Sequence, residues 1–379
     1  DRLMLADWSS GLVHAQAGLT LDALIRLALP RGWFLPVTPG TKFVTLGGAV
    51  ANDVHGKNHH VMGTFGRHVR RLRIYRSQEG VVECSREENP ALFGATIGGL
   101  GLTGVLLSVE LQLRPVRSCR IAQRSIRFGG LDEFFELSAE HDSLHEYSVA
   151  WVDCLATGRR TGRGHYIVGD HADDGQLECP NSRAKSVPID PPFSLINQWT
   201  LRPFNTLYYH RHVRKDSQEL VDFDPFFYPL DKLLHWNRMY GRAGFQQYQC
   251  VVPGADALQT IRTVLERIAR SGNGSFLAVL KRSGDLESPG LLSFPLPQGV
   301  SLALDFAQQE TANTRLFADL DAIVHEAGGR LYPAKDAHMS SQHFQSAYPA
   351  WPGVEVLRDP VLMSRFWQRV TRSSPFRST

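Results

Sequence analysis

The segment PVTPGTKFVTLGGAVANDVHGKNHH, from Pro36 to His60, constrains the fold more than any other part of this chain. Its glycines permit positive φ angles and let a ligand approach the backbone closely; they are Gly40, Gly47, Gly48 and Gly56. Short polar and titratable side chains accompany them: Thr41, Thr45, Asn52, His55, Lys57, Asn58, His59 and His60. The pattern predicts a turn, a strand and a second turn that together hold a ligand. A glycine-rich surface turn followed by a solvated charged cluster is the alternative that composition leaves open.

Length and charge bound the class of protein. At 379 residues, 42% of them hydrophobic, the chain is long enough for two or three domains with buried cores. A net charge of +3, spread over scattered basic residues without a nucleic-acid motif, excludes nucleic acid as the expected partner. The chain has no apolar run of ~18 residues and no signal-peptide pattern. We therefore expect a soluble, cytoplasmic protein.

The cysteine and histidine spacings do not favour a metal site. Five cysteines are widely separated and form no C-x-x-C pair: Cys84, Cys119, Cys154, Cys179 and Cys250. We expect free, mostly buried thiols in a reducing compartment. His55 and His59 have the spacing of a helical zinc pair, but Gly56 argues against a helix and no H-E-x-x-H is present, so no metal is expected. A serine hydrolase is also unsupported, because the chain has no G-x-S-x-G motif.

Apolar periodicity predicts strands and a helix in the first third of the chain. The predicted strands are Leu12–Ala17, Val69–Tyr75, Val81–Cys84 and Val105–Leu113, and a helix that buries Leu21, Leu24, Ile25 and Ala28 begins after Thr20 as its N-cap. Gly99, Gly101 and Gly104 spell G-x-G-x-x-G. A dinucleotide fingerprint needs a helix after these glycines, whereas a strand pattern follows them, so the Rossmann interpretation fails.

Strand-helix-strand units follow from about Val116 and predict an antiparallel sheet with helices on one face, an α+β arrangement. The predicted elements are Cys119–Ile126, Leu131–Glu140, Glu146–Asp153, Gln246–Val252, Ala255–Arg270, Phe276–Lys281, Val300–Phe306 and a helix from about Thr311 to Ala327. The polar segment Gly158–Ser186 is expected to be mobile. Aromatic and basic residues of Pro191–Lys215 favour contact with a membrane surface or closure over a lipid substrate; a core-packing loop is the alternative.

Several runs resemble the decaprenylphosphoryl-ribose oxidase family of the vanillyl-alcohol-oxidase superfamily. They are the P-G-T turn at 39–41, V-T-L-G-G-A at 44–49, D-V-H-G-K-N-H-H at 53–60 and G-G-R-L-Y-P-A-K-D at 328–336, and the resemblance spans nearly the full chain. It implies a two-domain α+β protein. The FAD-binding domain would comprise residues 1–115 plus about 328–379, and residues 116–327 would form a substrate-binding cap with an antiparallel sheet. The family's glycine-rich pyrophosphate loop lies upstream, so that half of the cofactor site is expected to be missing from this sequence.

The resemblance also implies an activity. The family holds FAD and oxidises a secondary hydroxyl of a polyprenyl-phosphate-linked pentose to a keto sugar, the first half of an epimerisation that a separate nicotinamide-dependent reductase completes. The resemblance implies no covalent link between the flavin and the protein. An aldonolactone-type or other soluble-sugar oxidase of the same superfamily is the nearest alternative. A flavin-binding protein without turnover is another.

Residue roles are carried over from the matching motifs. The implied cofactor contacts are Pro39, Gly40, Thr41, Thr45, Gly48, Asn52, His55, Gly101, Gly104, Leu106, Tyr332 and Ala334. The implied substrate contacts are Lys57, Gln247, Gln249, Lys281, Ser301 and Lys335. Lys335 is the first candidate for a cationic or proton-accepting role, since desolvation lowers the pKa of a lysine, and His55 and Tyr332 are further catalytic candidates. A surface ion pair of Lys335 with Asp336, and an exposed strand-end position for Lys281, are the structural alternatives.

Two departures from the family pattern concern specificity. Ala303 stands where actinobacterial members have a flavin-facing cysteine, so capture by thiol-directed inhibitors is not expected. The tyrosine that precedes P-L-D in the family is shifted or replaced by Phe227 beside Tyr228. Both changes leave the exact sugar and lipid open.

Overall fold

The computed structural model describes residues 1–179, 185–336 and 338–371. The strands of these residues are β1 (Leu3–Asp7), β2 (Leu12–Gln16), β3 (Trp33–Phe34), β4 (Val69–Arg76), β5 (Gly80–Ser85), β6 (Val105–Gln112), β7 (Arg114–Pro115), β8 (Arg120–Phe128), β9 (Tyr147–Val152), β10 (Gly164–His171), β11 (Lys185–Ser186), β12 (Asp216–Asp222), β13 (Leu233–Leu234), β14 (Phe245–Val252), β15 (Val279–Arg282), β16 (Val300–Ala307) and β17 (Arg330–Leu331). The α-helices are α1 (Leu21–Ala28), α2 (Leu46–Ala51), α3 (His59–Met62), α4 (Pro90–Thr96), α5 (Leu131–His141), α6 (Gln198–Tyr209), α7 (Phe223–Phe227), α8 (Ala257–Ser271), α9 (Glu310–Glu326), α10 (Ser341–Ala347), α11 (Trp351–Leu357) and α12 (Arg365–Thr371). None of the helices in these ranges has the length and apolarity needed to cross a bilayer.

A five-stranded antiparallel sheet with the order β1-β2-β6-β4-β5 organises the first 115 residues. The predicted strands and the helix α1 are confirmed. Thr20 caps α1, because its hydroxyl accepts a hydrogen bond from the backbone N–H of Ala23 at 3.2 Å. The helix buries the four predicted side chains, Leu21, Leu24, Ile25 and Ala28.

The strand expected within Pro36–His60 is wrong, since residues 46–51 form the short helix α2. The Thr45 hydroxyl caps it by accepting from the Gly48 N–H at 3.1 Å. Leu46, Ala49 and Val50 are buried at the i, i+3, i+4 spacing of one helical face. Gly47 lets the helix lie against the preceding chain, since a Cβ there would come within 3.1 Å of the Ala17 Cβ.

An eight-stranded sheet with the order β12-β8-β10-β9-β15-β16-β14-β17 forms the larger part of the molecule, and the predicted antiparallel α+β arrangement is confirmed. Because side chains alternate along each strand, one face supplies a core to α5, α8 and α9, with Cys250, Leu280 and Leu302 fully buried. The opposite face carries the polar side chains of the candidate site.

The segment Gly158–Ser186 does not match the expectation of mobility. Its residues 164–171 form β10, which pairs with β8 on one side and β9 on the other. Tyr166 and Val168, two positions apart on this strand, point into the helix-covered core. A segment that is polar overall therefore contributes two apolar side chains to the core and lies inside the sheet. Residues 180–184 of this predicted segment lie outside the described residues.

The expectation of five free thiols is also wrong. Cys119, which immediately precedes β8, forms a disulfide with Cys179, sixty residues later in the chain. Cys84, Cys154 and Cys250 are free and buried, as expected. The disulfide could not be predicted from the sequence, because Cys119 and Cys179 are far apart along the chain and only the fold brings them together.

The C-terminal segment contacts both sheets. β17 is an edge strand of the eight-stranded sheet beside β14, and Phe344 and Trp367 belong to the core beneath that sheet. Asp359 instead reaches the five-stranded sheet, because its carboxylate accepts from the Ser77 backbone N–H at 2.7 Å and hydroxyl at 2.8 Å. Ala337 and residues 372–379 lie outside the described residues. The division into two domains stays a prediction.

Candidate active site

A cavity of about 550 Å³ lies between the Pro36–His60 segment and the open face of the eight-stranded sheet. Apolar side chains form most of its wall: Val149, Trp151, Ile167, Val221, Phe226, Leu277 and Val279. Polar groups line it at opposite sides, with His55, Lys57 and Lys281 in one set and Gln123, Arg211, His212 and Glu219 in the other. Lys281 on β15 and Glu219 on β12 are four strands apart, roughly 19 Å at the usual strand spacing. The cavity therefore runs across the strands as an elongated slot.

His55 is held by two side chains from the sheet. The Lys281 Nζ lies 3.1 Å from its Nδ1, and the carboxamide of Gln249 lies 3.0 Å from its Nε2. Burial, followed by the positive charge of Lys281, lowers the pKa of His55 well below its usual value, so the imidazole is neutral. A lysine ammonium can only donate, so Nδ1 accepts and the ring N–H lies on Nε2, facing the Gln249 carboxamide oxygen once that amide is turned to present it.

Lys57 and Lys281 are two half-buried cations at the same side of the cavity. Lys57 donates to the carbonyl oxygen of Phe226, and Lys281 also donates to the carbonyl oxygen of Gly56 at 3.3 Å. Within the described residues, neither ammonium forms an ion pair with a carboxylate. Burial lowers the pKa of Lys57 to about 7, with a further contribution from the charge of Lys281, and burial lowers the pKa of Lys281 to about 8. Two poorly compensated cations in one cavity favour binding of an anion.

Lys335 follows β17 and lies beside the polar end of β14. Its Nζ donates to the Gln247 Oε1 at 2.7 Å, and the Gln247 Nε2 donates to Asp305 Oδ1 at 2.8 Å. Desolvation lowers the pKa of Lys335 and the charge of Asp305 opposes that effect. The Lys335 residue is nevertheless solvent-exposed, so its ammonium group is accessible to a ligand. The alternative position of Lys335, in a surface ion pair with Asp336, is not the one observed, because Asp336 pairs with Arg369.

Three rings stand together beside these groups. Tyr332 is buried and its hydroxyl donates to the backbone oxygen of Asn52 at 2.9 Å. Phe294 stacks on Tyr332 with a centroid distance of 4.6 Å, and the same phenyl ring is 5.5 Å from the His55 ring. These contacts bring Tyr332, His55, Lys335 and their glutamine partners into one cluster.

The remaining predicted residues are distributed around this cluster. Pro39 and Gly40 line the cavity, and no heavy atom lies within 4 Å of the place where a Cβ would stand at Gly40 or Gly101. Gly101 has φ +74° in a turn that is bonded to the end of α2, where the Leu100 N–H donates to Ala51 O at 2.8 Å. Both glycines thus leave room for a ligand at the backbone.

Other predicted contacts are used locally or lie further away. The Asn52 amide donates to Gly48 O at 2.8 Å, and the Thr41 hydroxyl accepts from the Phe43 N–H at 3.3 Å. A Cβ at Gly104 would lie 2.7 Å from Tyr75 O, so that glycine serves the packing of β4. Leu106 is on β6 opposite Ile74 of the same strand β4, and Ala334 is exposed.

Strand β16 places Ala303, the first departure from the family pattern, on the face of the sheet that carries the site. Ser301 pairs with Lys281, and Ala303 pairs with Gln249 on one side and Val279 on the other, so both face the site. Tyr228 is fully buried and shares a 2.6 Å hydrogen bond with the Thr38 hydroxyl. Its phenol therefore supports the loop that carries Pro39 and Gly40.

Sequence reasoning missed Asp305, Phe294 and Asp53. Asp305 could have been found from strand alternation, because it shares a face with Ser301 and Ala303 in an otherwise apolar strand. Asp53 is fully buried, and its carboxylate accepts hydrogen bonds from Gly66 N–H and from the hydroxyls of Ser288 and Ser293. No local signal links Asp53 to serines more than 230 positions away.

The structure offers no arrangement of three or more His, Cys, Asp and Glu side chains that suits a metal ion within the described ranges. Cationic and neutral polar groups dominate the site instead. Such a donor set suits an anionic, hydroxyl-rich ligand.

Residues 2–85 match the family model of an FAD binding domain. Decaprenylphosphoryl-β-D-ribose oxidase of Mycolicibacterium smegmatis is 36% identical over 368 residues, which cover 92% of this chain and 77% of that protein. An uncharacterised protein of Streptomyces coelicolor is 35% identical over 356 residues, covering 90% of this chain and 96% of that protein. A putative D-arabinono-1,4-lactone oxidase of Neurospora crassa is 29% identical over 124 residues, which are 32% of this chain and 22% of that protein.

Proposed function

The chain belongs to the decaprenylphosphoryl-β-D-ribose oxidase family of FAD-linked oxidases, and from that premise we propose that it oxidises a secondary hydroxyl of a polyprenyl-phosphate-linked pentose to a keto sugar. The observation that carries the proposal is the position of Lys57 and Lys281, two half-buried cations that line an elongated, largely apolar cavity together with His55. A phosphate between a sugar and a prenyl chain needs this combination of surfaces.

FAD is the cofactor of this family, and the residues present fit it. The backbone at Gly40 and Gly101 leaves room for close approach, and Asp305 Oδ2 is a buried oxygen without a hydrogen-bond partner among the described residues, next to the donors Gln247 and Lys335. The residues that would hold FAD are Pro39, Gly40, His55, Gly101 and Tyr332 of the predicted cofactor set, together with this polar cluster. When bound, FAD would supply the hydride acceptor for oxidation of the carbinol carbon, and a protein group would take the hydroxyl proton.

The protein's own groups divide the remaining work. Lys335 supplies the cationic or proton-accepting group, because its pKa is lowered and it is accessible at the polar end of β14. Neutral His55, with its tautomer fixed by Lys281 and Gln249, holds these two side chains in place, and they would orient the sugar. Tyr332 fixes the adjacent wall through its bond to Asn52.

Lys57 and Lys281 would bind the substrate phosphate. Both donate to backbone carbonyl oxygens, which hold their ammonium groups without neutralising them. An anion that enters the cavity therefore gains two charge-assisted hydrogen bonds in a partly desolvated environment. The apolar wall formed by Val149, Ile167 and Phe226 would receive the start of the prenyl chain.

Peripheral membrane contact through α6 is part of the same proposal. Trp199 and Leu207 on this helix are 80% and 74% exposed, and residues 191–215 contain arginines, a lysine and histidines but no acidic residue. Tyr208 and Arg211, at the end of α6, also line the cavity. An anionic bilayer would attract this surface and place lipid-linked substrate near the cavity.

The domain roles and the partner complete the proposal. The five-stranded part would be the FAD-binding domain and the eight-stranded sheet the substrate cap, with the conversion to the epimer completed by a separate nicotinamide-dependent reductase. A soluble-sugar oxidase is not favoured, because a soluble sugar has no apolar chain to occupy the apolar part of the cavity.

The test is anaerobic mixing of the full-length, FAD-loaded protein with a prenylphosphoryl-ribose analogue, followed by the visible absorbance of the flavin. We expect the oxidised flavin band to bleach, and we expect an aldonolactone or free ribose to leave it unchanged. Lys281→Met should raise the concentration of analogue that is needed to bleach the flavin band. Lys185→Met, in an exposed strand, serves as the matched control. A flavin band that persists with the analogue but bleaches with a soluble sugar would overturn the proposed substrate class.

Flotation with vesicles tests the membrane contact separately. The protein should float with vesicles that contain anionic lipid, and Trp199→Ser together with Leu207→Ser should abolish this without changing flavin reduction by a short, water-soluble analogue. Equal binding of the wild type and the double variant would contradict docking through α6.

A further inference from the structure

We propose that Asp305 is a positioning residue for Lys335: it fixes the carboxamide of Gln247, which in turn holds the lysine ammonium group at the site. The inference rests on the role of Lys335 in the proposed function. It gives a role to a buried carboxylate to which the sequence analysis assigned none.

Strand register brings the three groups together. Asp305 on β16 lies directly opposite Gln247 on β14, so their side chains leave the same face of the sheet. The Gln247 Nε2 donates to Asp305 Oδ1 at 2.8 Å, and its Oε1 accepts from the Lys335 Nζ at 2.7 Å. A carboxylate only accepts and an ammonium only donates, so this is the single amide orientation that satisfies both neighbours.

Asp305 is placed as a fixed support rather than as a solvated charge. Its side chain is 3% exposed, and its backbone N–H donates to the Ser275 hydroxyl at 3.1 Å. Burial raises the pKa of the carboxyl to about 6, while the bond from Gln247 and the charge of Lys335 act in the opposite direction. A buried carboxylate is retained at a cost to stability, which is a reason to look for its task at the site.

Tyr332, Asp336 and His338 are titratable side chains that line a small pocket together with Gln247 and Lys335. Tyr240 has a buried hydroxyl without a partner among the described residues, and both burial and the charge of Asp305 raise its pKa. His55 lies on the other side, where the charge of Lys335 contributes to lowering its pKa. At neutral pH, Asp305 is therefore the negative group that opposes the desolvation of Lys335.

Loss of the carboxylate has two consequences. An asparagine at position 305 accepts from Gln247 Nε2 in only one of its two amide orientations and without a charge, so it holds the Gln247 carboxamide less firmly in front of Lys335. It also removes the charge that raises the pKa of Lys335, so this lysine loses its proton at lower pH.

The decisive experiment compares Asp305→Asn with the wild type in the Lys335 and the Lys335→Met backgrounds. We expect Asp305→Asn to lower the anaerobic rate of flavin reduction roughly tenfold or more, with little change in the substrate concentration for half-maximal rate. In the Lys335→Met background the same substitution should have almost no further effect. An equal loss in both backgrounds would overturn a role through Lys335.

A second readout does not need turnover. The pH dependence of Lys335 modification by an amine-reactive reagent, followed by mass spectrometry on protein without added FAD, should move to lower pH in Asp305→Asn. Asp359→Asn removes another buried carboxylate, one that bonds Ser77, and should leave the Lys335 profile in place. An unshifted profile in Asp305→Asn would overturn the proposal.

Gln247→Met breaks the same link without touching the buried carboxylate, and it keeps the test available if Asp305→Asn does not fold. It should reproduce the loss in flavin reduction and its dependence on Lys335. If none of the prenylphosphoryl pentoses tested reduces the flavin of the wild type, the proposed function fails. The pH profile of Lys335 modification still decides whether Asp305 acts on Lys335.

Discussion

Phe294 packs against both Tyr332 and His55. Its ring is stacked on Tyr332 with a centroid distance of 4.6 Å and 30° between the planes, and its centroid is 5.5 Å from that of the His55 ring. It is 1% exposed and comes from the long connection between β15 and β16. The position of that connection therefore sets the position of two candidate catalytic rings.

Phe294→Leu should reduce the rate of flavin reduction more than its effect on folding explains. Replacing the ring removes the stacking on Tyr332 and His55, and we expect a loss of about 1–2 kcal/mol in the free energy of unfolding. Urea unfolding and stopped-flow flavin reduction would measure the two effects. Phe317→Leu is the matched control, because Phe317 is equally buried but packs against Tyr248 and Phe306 in the core on the helix-covered face. Equal losses of rate in both variants would contradict a special role for Phe294.

Asp53 should make stability depend on pH in an unusual direction. Burial raises the pKa of its carboxyl, so the protonated form is favoured in the folded state. The stabilisation linked to this group is fully present below the pKa of the unfolded chain and is lost as the pH rises through the higher folded pKa. Asp53→Asn lacks this dependence, so the wild type should lose stability relative to Asp53→Asn as the pH rises from acid to neutral. Urea unfolding at several pH values would measure the difference, and a difference of opposite slope would contradict the argument.

Asp53→Ala separates the charge from the hydrogen bonds. The substitution leaves the Gly66 N–H and the hydroxyls of Ser288 and Ser293 without their acceptor. Each unsatisfied buried donor costs ~1–3 kcal/mol, so we expect this variant to be less stable than Asp53→Asn at every pH. Because Ser293 precedes Phe294, flavin reduction should fall as well.

The parts of the fold that follow from local patterns could be predicted. The helix after Thr20 and the hairpin of β4 and β5 are each specified by one short segment with its own cap or alternation. The segment of α2 was predicted to be a strand, because its two glycines weaken the helical pattern of buried side chains. Its helical conformation depends on packing against Ala17, which the local pattern does not contain. The pairing of Cys119 with Cys179 and the insertion of β10 depend on contacts far apart in sequence, which no single-segment pattern contains.

The candidate site shows the same division. His55, Lys57 and Lys335 stand in motifs that could be recognised, and Lys281 and Gln249 prove to contact the same imidazole. The motifs could not show which residues elsewhere in the chain hold these side chains in place. One example is the hydrogen bond from Gln247 on β14 to Asp305 on β16. These partners come from strand register, which is fixed by the whole sheet.

Ala303→Cys should introduce a thiol that reacts in the folded protein. Ala303 is half-buried on the face of β16 that carries the site, whereas the free thiols of Cys84, Cys154 and Cys250 are buried. We expect a maleimide to label the variant with about one equivalent and the wild type hardly at all, because reaction requires access to the thiolate. Val105→Cys, at a 55% exposed position, is the control for reagent activity. A folded variant that resists labelling would place residue 303 away from the cavity.

Substrate affinity should fall as the pH rises through the pKa values of Lys57, about 7, and Lys281, about 8. Both ammonium groups must be protonated to attract the phosphate, and a phosphodiester keeps a constant charge over this range, so the change reports the lysines. Titration of the protein with a prenylphosphoryl-ribose analogue between pH 6 and 10 should show the decline, roughly tenfold per pH unit for each proton required. In Lys281→Met the affinity should be lower at neutral pH, and its decline should move to higher pH, because the charge of Lys281 helps to lower the pKa of Lys57. Lys185→Met should follow the wild type, and an affinity independent of pH would exclude this pair of lysines as the phosphate site.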